Sequence, residues 1–173
     1  DTSSPIRGLV VACLLLGAAS LTLVRSANWG EPLHLASYLV DINPESARAS
    51  SELATIYAGM SDQNPNSPFF RSAMIEFERG RKLPSASPLP EQGLILMSVA
   101  TGQPIEAKWW ESMEHKIRTR PIGPQESMAV TGMLQQRLKG LAIPDERLVS
   151  LLDTLLERRP GDALLHSSYA HYQ

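Results

Sequence analysis

The chain has 173 residues, 43% of them apolar, with a formal charge of −2 and a single cysteine. That length supports one core of ordinary domain size. Acids and bases are interspersed, which leaves no electrostatic footprint for nucleic acid. The lone Cys13 excludes an internal disulfide and a cysteine-rich zinc site.

The first segment differs from the rest. Residues 8–24 (GLVVACLLLGAASLTLV) carry no charge and are bracketed by Arg7 and Arg25. At about 1.5 Å per residue such a helix nearly covers the hydrocarbon core, with the arginines snorkelling at either end. Gly17, Ala18, Ala19 and Ser20 are small, as where membrane helices approach one another. Trp29 falls at the depth of an interfacial anchor. Residues 7–29 are therefore expected to hold the chain in a membrane; a signal peptide and a buried core helix are the alternatives. No Lys or Arg follows Arg25 until Arg48, which favours an extracytoplasmic or periplasmic exit.

Leu35, Leu39 and Ile42 repeat at helical spacing, predicting a short connecting helix over 31–42 that stops ahead of Pro44. In 43–60, Asn43 reads as a cap and Pro44 as the first helical residue. Ala47, Leu53, Ala54 and Tyr57 then share one stripe, while Arg48, Ser51 and Glu52 face away.

From there prolines mark helix starts. Pro44, Pro68, Pro104, Pro124 and Pro144 each precede an apolar-periodic run, and Pro88 and Pro90 do so less cleanly. The implied helices are 44–60, 68–82, 90–101, 104–119, 124–139, 144–159 and 161 onward, with Gly102 and Gly140 as left-handed caps. The polar stretch 61–67 reads as a surface insertion. The chain divides into an anchor (1–30), a connector (31–43) and a helical array (44–173).

Taken in pairs, the helices repeat. Pro44, Pro84, Pro121 and Pro160 are separated by roughly 40, 37 and 39 residues, the range of repeating helical hairpins. First helices share a pattern: Leu53, Ala54 and Tyr57; Met97, Ser98 and Thr101; Val130, Thr131 and Leu134; then Tyr169 and Ala170. Second helices carry Ala73, Phe77 and Gly80 ahead of Pro84, and Leu148, Leu152 and Leu155 ahead of Pro160. Trp109 and Met113 take the matching places in the middle pair, where Lys116 stands third.

This arrangement resembles the tetratricopeptide repeat, with a large-small pair and an aromatic on the first helix and small, aromatic and small residues before a proline on the second. The match is best from 44 to 84 and degenerate in the middle pair; an unclassified helical-hairpin array is the alternative. The resemblance implies an all-α protein, an N-terminal transmembrane helix followed by an α-solenoid. A second resemblance lies in the junction, where an apolar span, Arg25 and Trp29 lead into N-P-x-S-x-R-A at 43–49. It is similar to multi-pass membrane proteins of the transmembrane-and-tetratricopeptide O-mannosyltransferase-like family. By that resemblance the chain would be the acceptor-holding end of a glycosyltransferase, whose catalytic acids would lie upstream of Asp1.

No residue of this chain reads as catalytic, and no cofactor is implied. No phosphate loop, nucleophile elbow or H-E-x-x-H run occurs. His166 and His171, five apart, stand about 140° round a helix and cannot share a metal as an i, i+4 pair would; His34 and His115 lack ligand partners. Of Trp109 and Trp110, one must face the core, so packing outweighs a carbohydrate platform. Basic residues recur where second helices end (Arg79, Arg81 and Lys82; Lys116, Arg118 and Arg120; Arg158 and Arg159). That place suits helix-end electrostatics, with contact to an anionic lipid or an acidic peptide as the other reading.

A hairpin array presents a groove along its first helices, and such grooves take peptides or proteins. Solvent-side positions Arg48, Ser51, Glu52 and Thr55 are the groove candidates, and their polarity argues against a greasy groove. Leu164, Leu165, Tyr169 and Tyr172 form a face needing cover on both sides, which predicts a truncation at Gln173 and a further hairpin beyond it.

Overall fold

A computed structural model describes residues 3–172, apart from the side chains of 3–6, 25, 27–29, 164, 168, 171 and 172. Among the described residues all regular structure is helical: α1 (Ser3–Trp29), α2 (Pro32–Ile42), α3 (Ala47–Met60), α4 (Pro68–Arg81), α5 (Leu89–Thr101), α6 (Ala107–Thr119), α7 (Pro124–Leu138), α8 (Asp145–Arg158) and α9 (Ala163–Tyr172). The expected helices agree with these to within about three residues at each end.

Capping chemistry explains the starts. Ser67 accepts from the Phe69 amide at 3.2 Å with Pro68 as the first helical residue. Glu126 reaches back from the first turn of α7 to the Gly123 amide at 2.9 Å, behind Pro124. At α3 the expectation is corrected. Ser46 is the cap, its hydroxyl accepting from the Ala49 amide at 3.2 Å, while Asn43 closes α2 and Pro44 lies in the turn between. A hydroxyl three residues ahead of an amide satisfies it, and Asn43 is too far back to do so. Pro104 and Pro144 also stand outside their helices, Pro144 immediately so. Gly102 and Gly140 both have positive φ, and the amide after each bonds a carbonyl five residues back, Ser98 and Gln136 respectively.

α1 contains the apolar window Arg7–Val24, with mean hydropathy 2.0 and none of it buried. Eighteen residues at ~1.5 Å each approach the thickness of a hydrocarbon core, so α1 is long and apolar enough to cross a membrane. The side chains of Arg25 and Trp29, expected at its interfacial end, lie outside the described residues.

The remaining helices stack in hairpins. α3 packs most extensively on α4, α5 packs on α6 and α7 on α8; α3, α5, α7 and α9 contact one another in turn, while α6 meets α8 behind them. α2 lies on α3, and α1 touches α2. A single apolar core runs through the array from Ala54 and Phe77 to Leu155 and Leu165. Leu165 is buried and Tyr169 half-buried on α9; Leu164 and Tyr172, expected on the same face, lie outside the described side chains.

Small residues set the approach of α3 to α4. Ala54 and Ala73 are fully buried. Ser50 donates to the Glu76 carbonyl at 3.1 Å, and a Cβ at Gly80 would stand 2.7 Å from the Ser50 hydroxyl. At the next interface Gly93 receives the Phe77 ring, whose Cζ would be 2.4 Å from an added Cβ. Trp109 and Trp110 are both buried, 3% and 4% exposed, so neither offers a stacking surface. Trp109 donates its indole N–H to Glu78 at 2.6 Å, joining α6 to α4. Arg81 and Lys108 flank the same carboxylate at 2.7 and 3.3 Å.

The basic residues at the helix ends reach backward. Arg79 donates to the Pro44 carbonyl at 2.6 Å, 35 residues earlier. Lys116 donates to the carbonyls of Arg81, also 35 earlier, and Ser87. Arg120 reaches the Ala86 carbonyl, 34 earlier. Arg158 reaches Ile117, Arg118 and Arg120, 38 to 41 earlier. Each cation therefore satisfies carbonyls left over one hairpin before. The nearby Arg118 and Arg159 are held by Glu114 and Asp162.

Two outcomes follow from this packing. Alanine normally stabilises a helix interior over glycine by about 0.5–1 kcal/mol, and nothing lies within 4 Å of a Cβ at Gly59. Gly59→Ala should therefore raise stability by that amount. Gly80→Ala should lower it by about 1–3 kcal/mol through overpacking, partly relieved by Ser50→Ala; urea midpoints compare them. Equal gains at both glycines would refute the close approach.

Glu78 supplies the second. Burial pushes its carboxyl up, but the hydrogen bond from Trp109, then Arg81 and Lys108, outweighs this and holds it below 4.5. A depressed carboxylate contributes stability above its unfolded value and loses it as pH falls through the folded one. Parent and Glu78→Gln should thus differ by about 1 kcal/mol near pH 6 and converge as pH falls below the ordinary carboxylate range, read from paired unfolding curves. A gap that persists at low pH would remove the carboxylate's role.

Candidate functional site

A groove of about 1080 Å³ opens between α2, α3, α5 and the start of α7. The four sequence candidates, Arg48, Ser51, Glu52 and Thr55, all line it. They sit on successive turns of α3 beside Ala47, which lines the groove too, and away from the buried Leu53 and Ala54. Arg48 and Glu52 pair with each other at 3.1 Å. Ser51 and Thr55 donate to carbonyls four residues back within their own helix, at 2.8 Å each.

The groove is greasier than those four residues imply. Leu35 and Leu39 of α2 face Leu89, Leu96 and Met97 of α5, with Met128 of α7 beyond. The reason lies in α5. Leu94, Ile95 and Ser98 turn one side of it into the core, while Leu96 and Met97 occupy the other side, along the groove. An apolar run too wide for one-sided burial is the signal that could have found them: residues 94–97 read Leu-Ile-Leu-Met without a polar break. The contributions of α2 and α7 carry no such signal, because their neighbours are distant in sequence.

Behind the groove wall lies a buried ion pair that sequence reading missed. Glu91 of α5 is fully buried and meets Lys116 of α6 at 2.7 Å. Ser112 donates to the same carboxylate oxygen at 2.6 Å. The other oxygen, Oε2, has no hydrogen-bond partner. Burial pushes the Lys116 ammonium below the ordinary lysine value, and the neighbouring Glu91 carboxylate only partly offsets that. Lys116 also holds the Ser87 carbonyl at 3.1 Å, and Ser87 lines the groove. The pair therefore braces the wall formed by the segment between α4 and α5.

Among the described residues the histidines form no cluster. His34 and His115 are exposed, and His166 lies 3.0 Å from the Pro160 carbonyl; the side chain of His171 is outside the described residues. Among the described residues no group of three His, Cys, Asp or Glu is placed to hold a metal. No family model, no curated protein and no solved structure matches the chain.

Removing one member of the buried pair should be far worse than removing both. Lys116→Met strands the Glu91 charge and is expected to lower stability by about 3–5 kcal/mol. Adding Glu91→Gln, which keeps an acceptor for Ser112, should restore most of that. Urea denaturation in detergent measures both, and an additive loss in the double variant would show that the two do not act as a pair.

Proposed function

We propose that the chain is a membrane-tethered scaffold of tetratricopeptide-like hairpins whose groove binds a peptide or a protein segment. Residues 7–29 form the tether, 31–43 the connector and 44–173 the repeats, and the repeats stand on the extracytoplasmic side. The groove carries this reading. Its volume stands at the top of the range of small-molecule sites, and it is open along several helices rather than closed over a ligand. A repeat architecture is supported by the backward-reaching cations, whose 34- to 41-residue steps match the spacing of the prolines. The tether is supported by the fully exposed apolar window of α1. The side assigned to the repeats follows from the scarcity of basic residues after Arg25.

The test uses the full chain in phosphatidylcholine nanodiscs, panned with a random 12-residue peptide library. Enrichment of a recurring motif is expected, with at least tenfold weaker capture by Met128→Glu, an exposed groove position. Failure to enrich above empty nanodiscs would overturn the binding reading. Carbonate extraction checks the tether separately: parent chain should stay with membranes, and Leu14→Arg combined with Leu16→Arg should release it.

A further inference from the structure

The groove's position and its charge together narrow its occupant. Its lining begins with Pro32, the first residue of α2, three residues beyond Trp29 at the end of α1. Three residues of extended chain span at most about 11 Å. The apolar window of α1 ends at Val24, and the five helical residues after it add roughly 7.5 Å. With α1 in a bilayer, one edge of the groove therefore lies within roughly 20 Å of the hydrocarbon boundary, close to the headgroup layer.

Charge is the second constraint. Among the described residues lining the groove only Arg48 and Glu52 are charged, and they pair with each other at 3.1 Å, both exposed to solvent. A charged side chain placed among Leu35, Leu39, Leu96 and Met97 would lose hydration without meeting a counter-charge. The apolar lining offers Leu35, Leu39, Leu96, Met97 and Met128, and methionine adapts to irregular side-chain shapes. Gln125 at the start of α7 supplies a neutral amide that suits a peptide backbone and that a lipid chain would leave without a partner, while the Gln92 amide nitrogen lies against Gly132 of α7.

We propose that the groove holds an uncharged, apolar peptide segment directly adjoining a membrane span of a neighbouring polypeptide. This rests on the peptide-groove reading above and adds the chemistry and location of the ligand. Membrane-proximal placement confines both partners to one layer, so a segment next to its span meets the groove at high effective concentration. A longer tether dilutes that advantage; a flexible Gly/Ser linker of 40 residues has an end-to-end distance of about 35 Å.

The experiment places the full chain in phosphatidylcholine nanodiscs with a co-inserted probe, a poly-leucine span followed by a fluorescent 12-residue segment of Leu, Ala, Ser and Thr. Sister probes carry two central Lys or two central Glu residues, or set the neutral segment behind a 40-residue Gly/Ser spacer. Energy transfer to a dye on the array reads binding. The neutral adjoining probe should bind at least tenfold better than either charged probe and at least fivefold better than the spaced one. Met128→Glu should weaken the neutral probe and shift preference toward the Lys probe. Ile75→Glu, an exposed apolar position outside the groove, should change nothing.

Equal binding of charged and neutral probes, or of spaced and adjoining ones, with Met128→Glu still effective, would overturn this inference and leave peptide binding intact. Absence of binding by every probe and by the panned peptides together would overturn both. Photocrosslinking from position 96 to phospholipid, undisturbed by saturating neutral probe, would replace the peptide with lipid and overturn the inference.

Discussion

The structure depends on how the buried ends of its second-layer helices are satisfied. The last carbonyls of a helix have no intrahelical donor, and in a stacked array they are partly withdrawn from water. Here Lys116 and Arg158 supply donors to the ends of α4 and α6, while Arg79 and Arg120 reach the Pro44 and Ala86 carbonyls in the turns ahead of α3 and α5, each one hairpin back. Such bonds are charge-assisted and favoured by the negative end of the helix dipole. They also fix how far one hairpin advances over the last, since a long side chain must span that step. Stacking distance and helix-end chemistry are thus one constraint.

The same constraint shapes the groove. Lys116 cannot hold the Arg81 and Ser87 carbonyls without entering the core, where its charge needs compensation. Glu91 provides it from α5, and Ser112 shares the carboxylate. With that face of α5 committed to the interior, Leu96 and Met97 are left on the far side, across from α2. The open apolar face is the counterpart of the buried polar one. The groove is neutral because Arg48 and Glu52 of α3 pair with each other and Glu91 of α5 turns inward to Lys116.

Close approach between helices follows a simpler rule. Gly80 and Gly93 stand where a Cβ would collide with Ser50 or Phe77, so α4 can pack tightly against α3 on one side and α5 on the other. Trp109 acts across a wider gap, its ring buried and its N–H committed to Glu78. Small residues and a buried ring thus serve adjacent interfaces of the same array.

Helix positions were legible in the sequence because local chemistry sets them. Prolines cannot continue a helix, Gly102 and Gly140 accept a left-handed cap, and apolar residues recur with helical period. The exposed side of α3 was legible for the same reason, and Arg48, Ser51, Glu52 and Thr55 do line the groove. At Asn43 and Pro44 local reading misplaced the cap, because Ser46, three residues before Ala49, offers an equally good hydroxyl. What only the tertiary structure decided involves residues far apart in the chain. Lys116 reads as one more cation near a helix end; its burial against Glu91, and its reach to Ser87, depend on how α6 stacks on α5 and α4. The apolar character of the groove depends likewise on α2 and α7 converging on α5. Periodicity says which face of a helix is apolar. Whether that face meets another helix or stays open is set by long-range packing, which no local pattern encodes.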